Sequence, residues 1–142
     1  MYHFIGVYNG SVTLSELVGR LASCDLARTT EPGDYSTTTD HHQGIPALFA
    51  DIAWSIPGAW RAAMAVIIPP RGAIPLHADL PLGEGWTRYH LVLQTNVNAW
   101  SFHDNSWQQL ALGGIYSVDP AQQHASMNWG ETDRIHLVVD TQ

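Results

Sequence analysis

Three residues of types that bind iron occur in an informative order in this chain: His77 and Asp79 two positions apart, and His124 much further along. Two imidazoles and one carboxylate can hold one face of an octahedral metal and leave the other face open, which is typical of non-haem Fe(II) oxygenases. Residues two apart on a strand share a face, so we expect His77 and Asp79 to lie on one strand and point at one ion. A closed zinc site usually requires cysteines, and the chain has one. The sequence predicts a catalytic metal site; the alternative is a chance pattern among eight histidines.

Arg134 opens an apolar segment ten residues after His124. An arginine buried at the start of a strand needs an anionic partner, because burial of an unpaired charge is costly. The planar guanidinium is suited to gripping a carboxylate through two hydrogen bonds. We therefore expect Arg134 to bind a carboxylate of a dicarboxylate cosubstrate. The alternative is a surface ion pair with Asp133 or Asp140.

Residues 88–95 alternate strictly between polar and apolar side chains, which predicts a strand with two different faces. One face carries Arg88, His90, Val92 and Gln94, and the other carries Tyr89, Leu91, Leu93 and Thr95. We expect the apolar face to pack beneath helices. The polar face then either meets solvent or lines the mouth of a barrel beside the metal.

Residues 80–87 join two strands of the predicted site and contain two glycines. This segment is either a mobile rim over a substrate or an ordinary loop. Within it, Trp86 could form a wall of the pocket. Further candidates for substrate contact are Gln94, Asn96 and Trp100, for which packing or surface roles are the alternative. The pair His41-His42, after Asp40, could also reach a substrate or be simply exposed.

The remaining pattern predicts a mainly β fold after a helical beginning. Thr13 and Glu16 form a capping box before a helix over residues 14–23, and Pro46 suits the first turn of a second helix over residues 45–55. Short strands are predicted at residues 62–69, 88–95, 98–102, 114–118 and 134–140. We expect one domain over residues 1–142: a helical and loop part over 1–60, and a double-stranded β-helix core over 61–142. This fold is a jelly-roll of cupin type, with both helices packed on its outside.

The composition excludes several function classes. The net charge is −7 and all six cationic side chains are arginines, so no basic stripe is available for duplex nucleic acid. The chain has no lysine, which excludes Schiff-base chemistry. Cys24 is the single cysteine, so no internal disulfide can form. No signal-like segment and no apolar run of about 18 residues occurs, so we expect a cytoplasmic protein without membrane contact.

Five segments in order resemble the aspartyl/asparaginyl β-hydroxylase family, across about residues 66–140: Ile74–Asp79, Arg88–Asn96, Trp107–Gly113, Asp119–Asn128 and Asp133–Asp140. The resemblance implies a double-stranded β-helix that uses Fe(II), 2-oxoglutarate and O2. It implies that His77 and His124 bind the iron, with Asp79 available as third ligand, although some members lack this carboxylate. It also implies that Arg134 binds the distal carboxylate of 2-oxoglutarate.

In the same family an Arg-x-His pair helps to hold the cosubstrate near the metal, and Arg88 and His90 match it. The predicted activity is hydroxylation of a C–H bond of an amino acid, either free or as a side chain in a peptide. Two alternatives remain open on the sequence. One is a cupin-type metalloenzyme that does not use 2-oxoglutarate, and the other is a non-catalytic cupin-like binding module.

Overall fold

The computed structural model describes residues 1–22, 36–40, 52 and 55–142, with only the backbone for residues 22 and 36–40. The predicted contacts of His41 and His42, and nearly all of the second predicted helix at residues 45–55, lie outside the described residues. The rest of the chain is mainly β, as predicted. Within the described residues, no helix has the length and apolar character that crossing a membrane requires.

Two antiparallel sheets form the described architecture. The elements are β1 (His3–Val7), α1 (Leu14–Ala22), β2 (Ser36–Asp40), β3 (Trp60–Ile68), β4 (Ala73–His77), β5 (Thr87–Gln94), β6 (Ala99–His103), β7 (Ser106–Gln108), β8 (Gly114–Val118), β9 (His124–Asn128) and β10 (Arg134–Thr141). The six-stranded sheet has the order β1-β8-β5-β10-β3-β2, and the four-stranded sheet has the order β4-β9-β6-β7. All five predicted strands are present, with ends moved by at most two residues.

Helix α1 begins as the sequence predicts. The backbone N–H of Thr13 donates to Glu16 Oε2 at 3.3 Å, and the N–H of Glu16 donates to Thr13 Oγ1 at 3.1 Å. This capping box satisfies two amide donors that the first turn would otherwise leave free. Leu17 and Leu21, one turn apart, are fully buried against the six-stranded sheet. Each such burial contributes roughly 1.5–3 kcal/mol.

The outer face of the six-stranded sheet carries the main apolar core. Leu91 and Leu93 lie on this face beneath α1, and Tyr89 packs partly against them, which confirms the predicted alternation. The neighbouring strands add Ala63, Ala65, Ile67, Ile115, Ile135, Leu137 and Val139. Because side chains alternate across a strand, the intervening residues must face the four-stranded sheet. That inner face is where the polar side chains of the site collect.

Candidate functional site

His77, Asp79 and His124 come together as the sequence predicts. One ligand atom from each lies within 4.8 Å of the others. His77, the last residue of β4, is the cross-strand partner of His124, the first residue of β9. Their ring centroids are 4.2 Å apart, and Asp79 Oδ1 lies 3.5 Å from His77 Nε2. Asp79 Oδ2 lies 3.8 Å from His124 Nε2, so the carboxylate reaches both imidazoles.

The prediction that His77 and Asp79 share one face of a strand is wrong. Strand β4 ends at His77, and Asp79 lies in the irregular segment that follows. Its backbone N–H donates to the carbonyl oxygen of Pro120 at 2.9 Å, in the loop before β9. The carboxylate therefore reaches the histidines from an irregular segment beyond β4, which strand periodicity alone does not predict.

Both histidines of the set are oriented by backbone carbonyls. Nδ1 of His77 lies 2.8 Å from the oxygen of Pro75, and Nδ1 of His124 lies 2.8 Å from the oxygen of Gln122. A carbonyl can only accept, so each Nδ1 carries the hydrogen and each Nε2 keeps its lone pair for the centre of the set. Burial lowers the pKa of His124, which favours the neutral, ligating form. Two imidazoles that each direct Nε2 to the centre of the set, with one carboxylate, fit a divalent iron ion.

Arg134 is buried in the same region, and none of the described carboxylates is its partner. It is 2% exposed, and its Nη2 donates to the hydroxyl oxygens of Ser101 at 2.9 Å and Ser126 at 3.3 Å. In the part of the chain that the structure describes, no carboxylate lies within ion-pair distance of it. Burial lowers the pKa of Arg134 to about 10, and the nearby Tyr2 partly opposes this shift. A surface pair with Asp133 or Asp140 is thereby excluded.

Arg88 has the opposite environment. Its Nε and Nη2 donate to the two carboxylate oxygens of Asp140 at 2.7 and 2.8 Å, and its Nη1 donates to Asp79 Oδ2 at 2.8 Å. The hydrogen bond to Asp140 is the largest cause that raises the pKa of Arg88 above its usual value. Three of its five N–H donors are therefore bonded to carboxylates of the protein itself.

His90 and His136 form a buried pair behind these arginines. Their Nδ1 atoms are 3.1 Å apart, so one donates and the other accepts. Burial holds the pKa of both imidazoles well below the usual range, and the charge of Arg134 adds to this effect. Both rings are therefore neutral at neutral pH.

A cavity of about 300 Å³ lies between the two sheets and unites these groups. Its polar lining includes the metal set together with Tyr2, Arg88, His90, Ser126 and Arg134, and its apolar lining includes Met64, Val66, Ile74, Val118 and Val138. A second, more open cavity of about 750 Å³ adjoins it and shares Arg88, Val118 and Pro120 with it. Arg88 and His90, on the polar face of β5, thus line a cavity. The sequence left two alternatives for this face, solvent or the mouth of a barrel, and the second describes these two residues.

Comparison with known proteins identifies a family for this chain. Residues 37–142 match the family model described as aspartyl/asparaginyl β-hydroxylase. The chain belongs to this family. The match extends through both histidines, Asp79 and both arginines of the cavity. The resemblance inferred from the five sequence segments is confirmed.

Two curated proteins are similar to this aspartyl/asparaginyl β-hydroxylase family member over part of their length. An L-proline cis-4-hydroxylase of Rhizobium meliloti (strain 1021) is 27% identical over an alignment 135 residues long, and the match covers 86% of this chain and 48% of the relative. An L-proline cis-3-hydroxylase 1 of Streptomyces sp. is 28% identical over an alignment 116 residues long, and the match covers 76% of this chain and 39% of the relative. The chain therefore spans half or less of the length of these relatives.

Solved structures support the fold of this family member. The cupin domain of Cnp3 from Schizosaccharomyces pombe superposes with a TM-score of 0.57 at 11% identity, covering 86% of this chain and 71% of that one. KdgF from Halomonas sp. gives a TM-score of 0.53 at 13% identity, covering 84% and 86%. At these identities the likeness establishes a cupin-type double sheet and no activity.

The four residues predicted to contact a substrate lie in different parts of the structure. Trp86 lines the second cavity. Gln94 Nε2 donates to the backbone oxygen of Asp133, and Asn96 Nδ2 donates to Asn128 Oδ1 and to the oxygen of Thr132. These two side chains secure the turn between β9 and β10, and Trp100 is 38% exposed. Gln94, Asn96 and Trp100 line neither of the two cavities.

Sequence reasoning missed several groups that line this family member's cavity or contact Arg134 beside it. Ser126 lies two residues after His124 on one strand, so its shared face was available as a signal. Ser101 is the cross-strand partner of Ser126, which only the sheet register reveals. Tyr2 enters from the distant end of the chain, and burial raises the pKa of its hydroxyl. No local pattern could have placed Tyr2 beside Arg134.

Proposed function

We propose that this protein is an Fe(II)- and 2-oxoglutarate-dependent dioxygenase that hydroxylates a C–H bond of an amino acid, free or within a peptide. The observation that carries the proposal is Arg134, a buried cation whose described partners are hydroxyl groups. It lines the same cavity as His77, Asp79 and His124. A buried cation whose described partners are only hydroxyl groups is suited to binding the anionic group of a ligand.

The donor set supports iron as the ion. His77, Asp79 and His124 would hold it, and the open face of such a set leaves positions for a chelating cosubstrate. Bound iron, with 2-oxoglutarate and O2, would supply the oxidising power, and the protein would supply binding and orientation. Arg134 would bind the distal carboxylate of 2-oxoglutarate through its remaining N–H groups, since Ser101 and Ser126 occupy only its Nη2.

The remaining cavity wall is suited to breaking an unactivated C–H bond. Val66, Val118 and Val138 offer no titratable group, so they exclude water without competing for protons. His90 lines the cavity in its neutral state, because burial lowers its pKa. It can position an oxygen or nitrogen of a ligand by a hydrogen bond without adding charge.

An amino-acid substrate is supported by the names of the curated relatives, which are hydroxylases of L-proline. The cavity of about 300 Å³ is at the small end of ligand sites, and the second cavity of about 750 Å³ shares three lining residues with it. Trp86 in that second cavity would contact the part of a substrate that lies farther from the metal. This arrangement accommodates either a free amino acid or a residue of a peptide.

The test is an anaerobic titration with Fe(II) and 2-oxoglutarate, followed by visible absorption. A weak metal-to-ligand charge-transfer band is expected in the unmodified protein and in Arg71→Ala, whose arginine is exposed and lines neither cavity. The band should be lost, or need far more cosubstrate, in Arg134→Ala.

The alternatives predict different results in the same assay. A cupin enzyme that does not use 2-oxoglutarate would bind the metal and give no band that depends on Arg134. A binding module would give no band and would release no succinate with any amino acid or peptide tested. A subsequent screen for succinate release, stimulated by added amino acids and peptides, would identify the substrate.

A further inference from the structure

Arg88 links two carboxylates in the wall of the cavity. Two of its N–H groups grip the two oxygens of Asp140, at 2.7 and 2.8 Å, and a third donates to Asp79 at 2.8 Å. The side chains of Arg88 and Asp140 are only 17% and 13% exposed. A bidentate guanidinium–carboxylate pair fixes the plane of the arginine, because each N–H points at its own oxygen.

The sheet itself supplies this pair. Arg88 on β5 and Asp140 on β10 are direct cross-strand partners in an antiparallel ladder. Asp79, in contrast, follows the end of β4, and its backbone N–H is held by the Pro120 carbonyl in another loop. The side chain of Asp79 therefore depends on Arg88, a residue anchored in the sheet, for a hydrogen bond that fixes its orientation.

The two oxygens of Asp79 have different surroundings as a result. Oδ2 accepts the hydrogen bond from Arg88 Nη1, while Oδ1 lies 3.5 Å from His77 Nε2. An ionised carboxylate has about four acceptor positions. A guanidinium on one oxygen thus leaves the other oxygen available to an ion at the centre of the set.

Asp140 also balances the charge of Arg88. Without it, Asp79 would be the remaining carboxylate within ion-pair distance of Arg88 among the described residues. The full positive charge of Arg88 would then compete with a metal ion for Asp79, and an ion is the largest local charge in such a site. With Asp140 present, the charge of Arg88 is already balanced, so Arg88 competes less with an ion for the Asp79 carboxylate.

We propose that Asp140, acting through Arg88, is a positioning residue that presents the Asp79 carboxylate to the metal. The inference rests on the proposed function only in requiring an ion at His77, Asp79 and His124. It also changes the role expected for Arg88 from the sequence. Arg88 holds a carboxylate of the metal set instead of directly holding the cosubstrate.

The experiment is a double-variant cycle on the binding of Co(II), an oxidation-resistant substitute for Fe(II), followed by the absorption of the bound ion. The four proteins are the unmodified chain, Asp140→Asn, Asp79→Ala and the double variant. Asp140→Asn is expected to weaken binding about 10-fold, as changes in residues that orient metal ligands do. In the Asp79→Ala protein the same change is expected to have less than about a 2-fold effect, because the group through which Asp140 acts is absent.

Two further variants separate positioning from folding. Asp140→Glu keeps the charge and should recover most of the affinity. Glu131→Gln removes the carboxylate of the exposed Arg71–Glu131 pair, whose atoms are 3.8 Å apart, and should leave Co(II) affinity unchanged. Thermal unfolding of each protein without metal checks that it is folded. If Asp140→Asn does not fold, Arg88→Lys replaces it in the cycle, since lysine cannot grip both carboxylates.

The outcomes decide between the two levels of the argument. An equal loss of affinity with and without Asp79, or no loss from Asp140→Asn, overturns the role of Asp140 and leaves the metal site intact. An unchanged affinity in Asp79→Ala also overturns it, and assigns the ion to the two histidines. If the unmodified protein binds neither Co(II) nor Fe(II), the proposed function fails, and the inference fails with it.

Discussion

Arg134 and Arg88 lie on the inner face of the same sheet and line the same cavity, but their surroundings are opposite. Arg88 is held by two carboxylates, Asp140 and Asp79. Arg134 is more deeply buried, and its described side-chain partners are two serine hydroxyls. The pKa of Arg88 is raised by its partner, whereas burial lowers the pKa of Arg134 to about 10. One positive charge is balanced by carboxylates of the fold, and the other has no carboxylate partner among the described residues.

This difference has an energetic meaning. Removing one partner of a buried ion pair strands the other charge, whereas removing a buried charge that has no partner relieves a desolvation cost. The same substitution at the two arginines should therefore change stability in opposite directions. At Arg134 the substitution should weaken ligand binding and raise the stability of the protein. At Arg88 it should lower the stability.

The largest effect is expected from Arg134→Met on binding of a dicarboxylate. Affinity of the Co(II)-loaded protein for N-oxalylglycine, an unreactive analogue of 2-oxoglutarate, should fall by about 30-fold or more, since a buried charged contact is worth about 2–5 kcal/mol. Isothermal titration calorimetry measures this loss. The ligand-free variant should also unfold at a higher temperature, with about 1–4 kcal/mol of added stability.

Arg71→Met is the control for this comparison, because its side chain is 65% exposed. It should change neither dicarboxylate affinity nor stability appreciably. A lower unfolding temperature in ligand-free Arg134→Met would contradict the contrast, because it would mean that the fold itself supplies Arg134 with a stabilising partner.

Arg88→Met should destabilise the protein by about 2–3 kcal/mol, since it leaves Asp140 without a partner at 13% exposure. Chemical denaturation measures the change. The double variant Arg88→Met/Asp140→Leu removes both charges and should recover much of the loss. Equal stability of Arg88→Met and the unmodified protein would show that the Asp140 pair contributes nothing to the fold.

High pH should narrow the stability difference at Arg134. Its pKa is about 10 in the folded protein, which is below the ordinary value of an arginine, so above about pH 10 the unfolded chain binds more protons. Stability of the unmodified protein then rises relative to Arg134→Met, by up to about 1.4 kcal/mol per pH unit. Urea unfolding of both proteins from about pH 8 to about pH 11 tests this sign. A constant difference would place the pKa of Arg134 outside this range.

The sequence predicts the two arginines of this comparison but not the difference between them. Alternation in β5 places Arg88 on the face opposite Leu91, because side-chain direction repeats every two residues. Its partner Asp140 follows from the register of β5 against β10, which no single strand encodes. Periodicity therefore gives the face of a residue, while its neighbour across the sheet depends on contacts distant in sequence.

The metal set shows the same limit. The types and order of His77, Asp79 and His124 are sufficient to predict that they meet. The end of β4 at His77 is not predicted, because the hydrogen bond from Asp79 to the Pro120 carbonyl is a contact between two loops. Gln94 illustrates the converse. It lies on the same polar face of β5 as Arg88, but it is the last residue of the strand, and its side chain donates a hydrogen bond to the backbone of Asp133 in the turn between β9 and β10.

The smallest effect is expected from His136→Asn, which tests how far the charge of Arg134 reaches. His90 and His136 have pKa values well below 6.5, first because of burial and then because of Arg134. Below about pH 6.5 the unfolded histidines take up protons and the folded ones do not, so stability is lost as pH falls, by up to about 1.4 kcal/mol per pH unit for each group. Asparagine can keep a hydrogen bond to His90 but takes up no proton, so urea unfolding between about pH 7 and about pH 5 should show a shallower loss. The exposed His3→Asn is the matched control. If His136→Asn loses as much stability at low pH as the unmodified protein, the buried His90–His136 pair is not neutral. The charge of Arg134 then does not hold the pKa values of these imidazoles low.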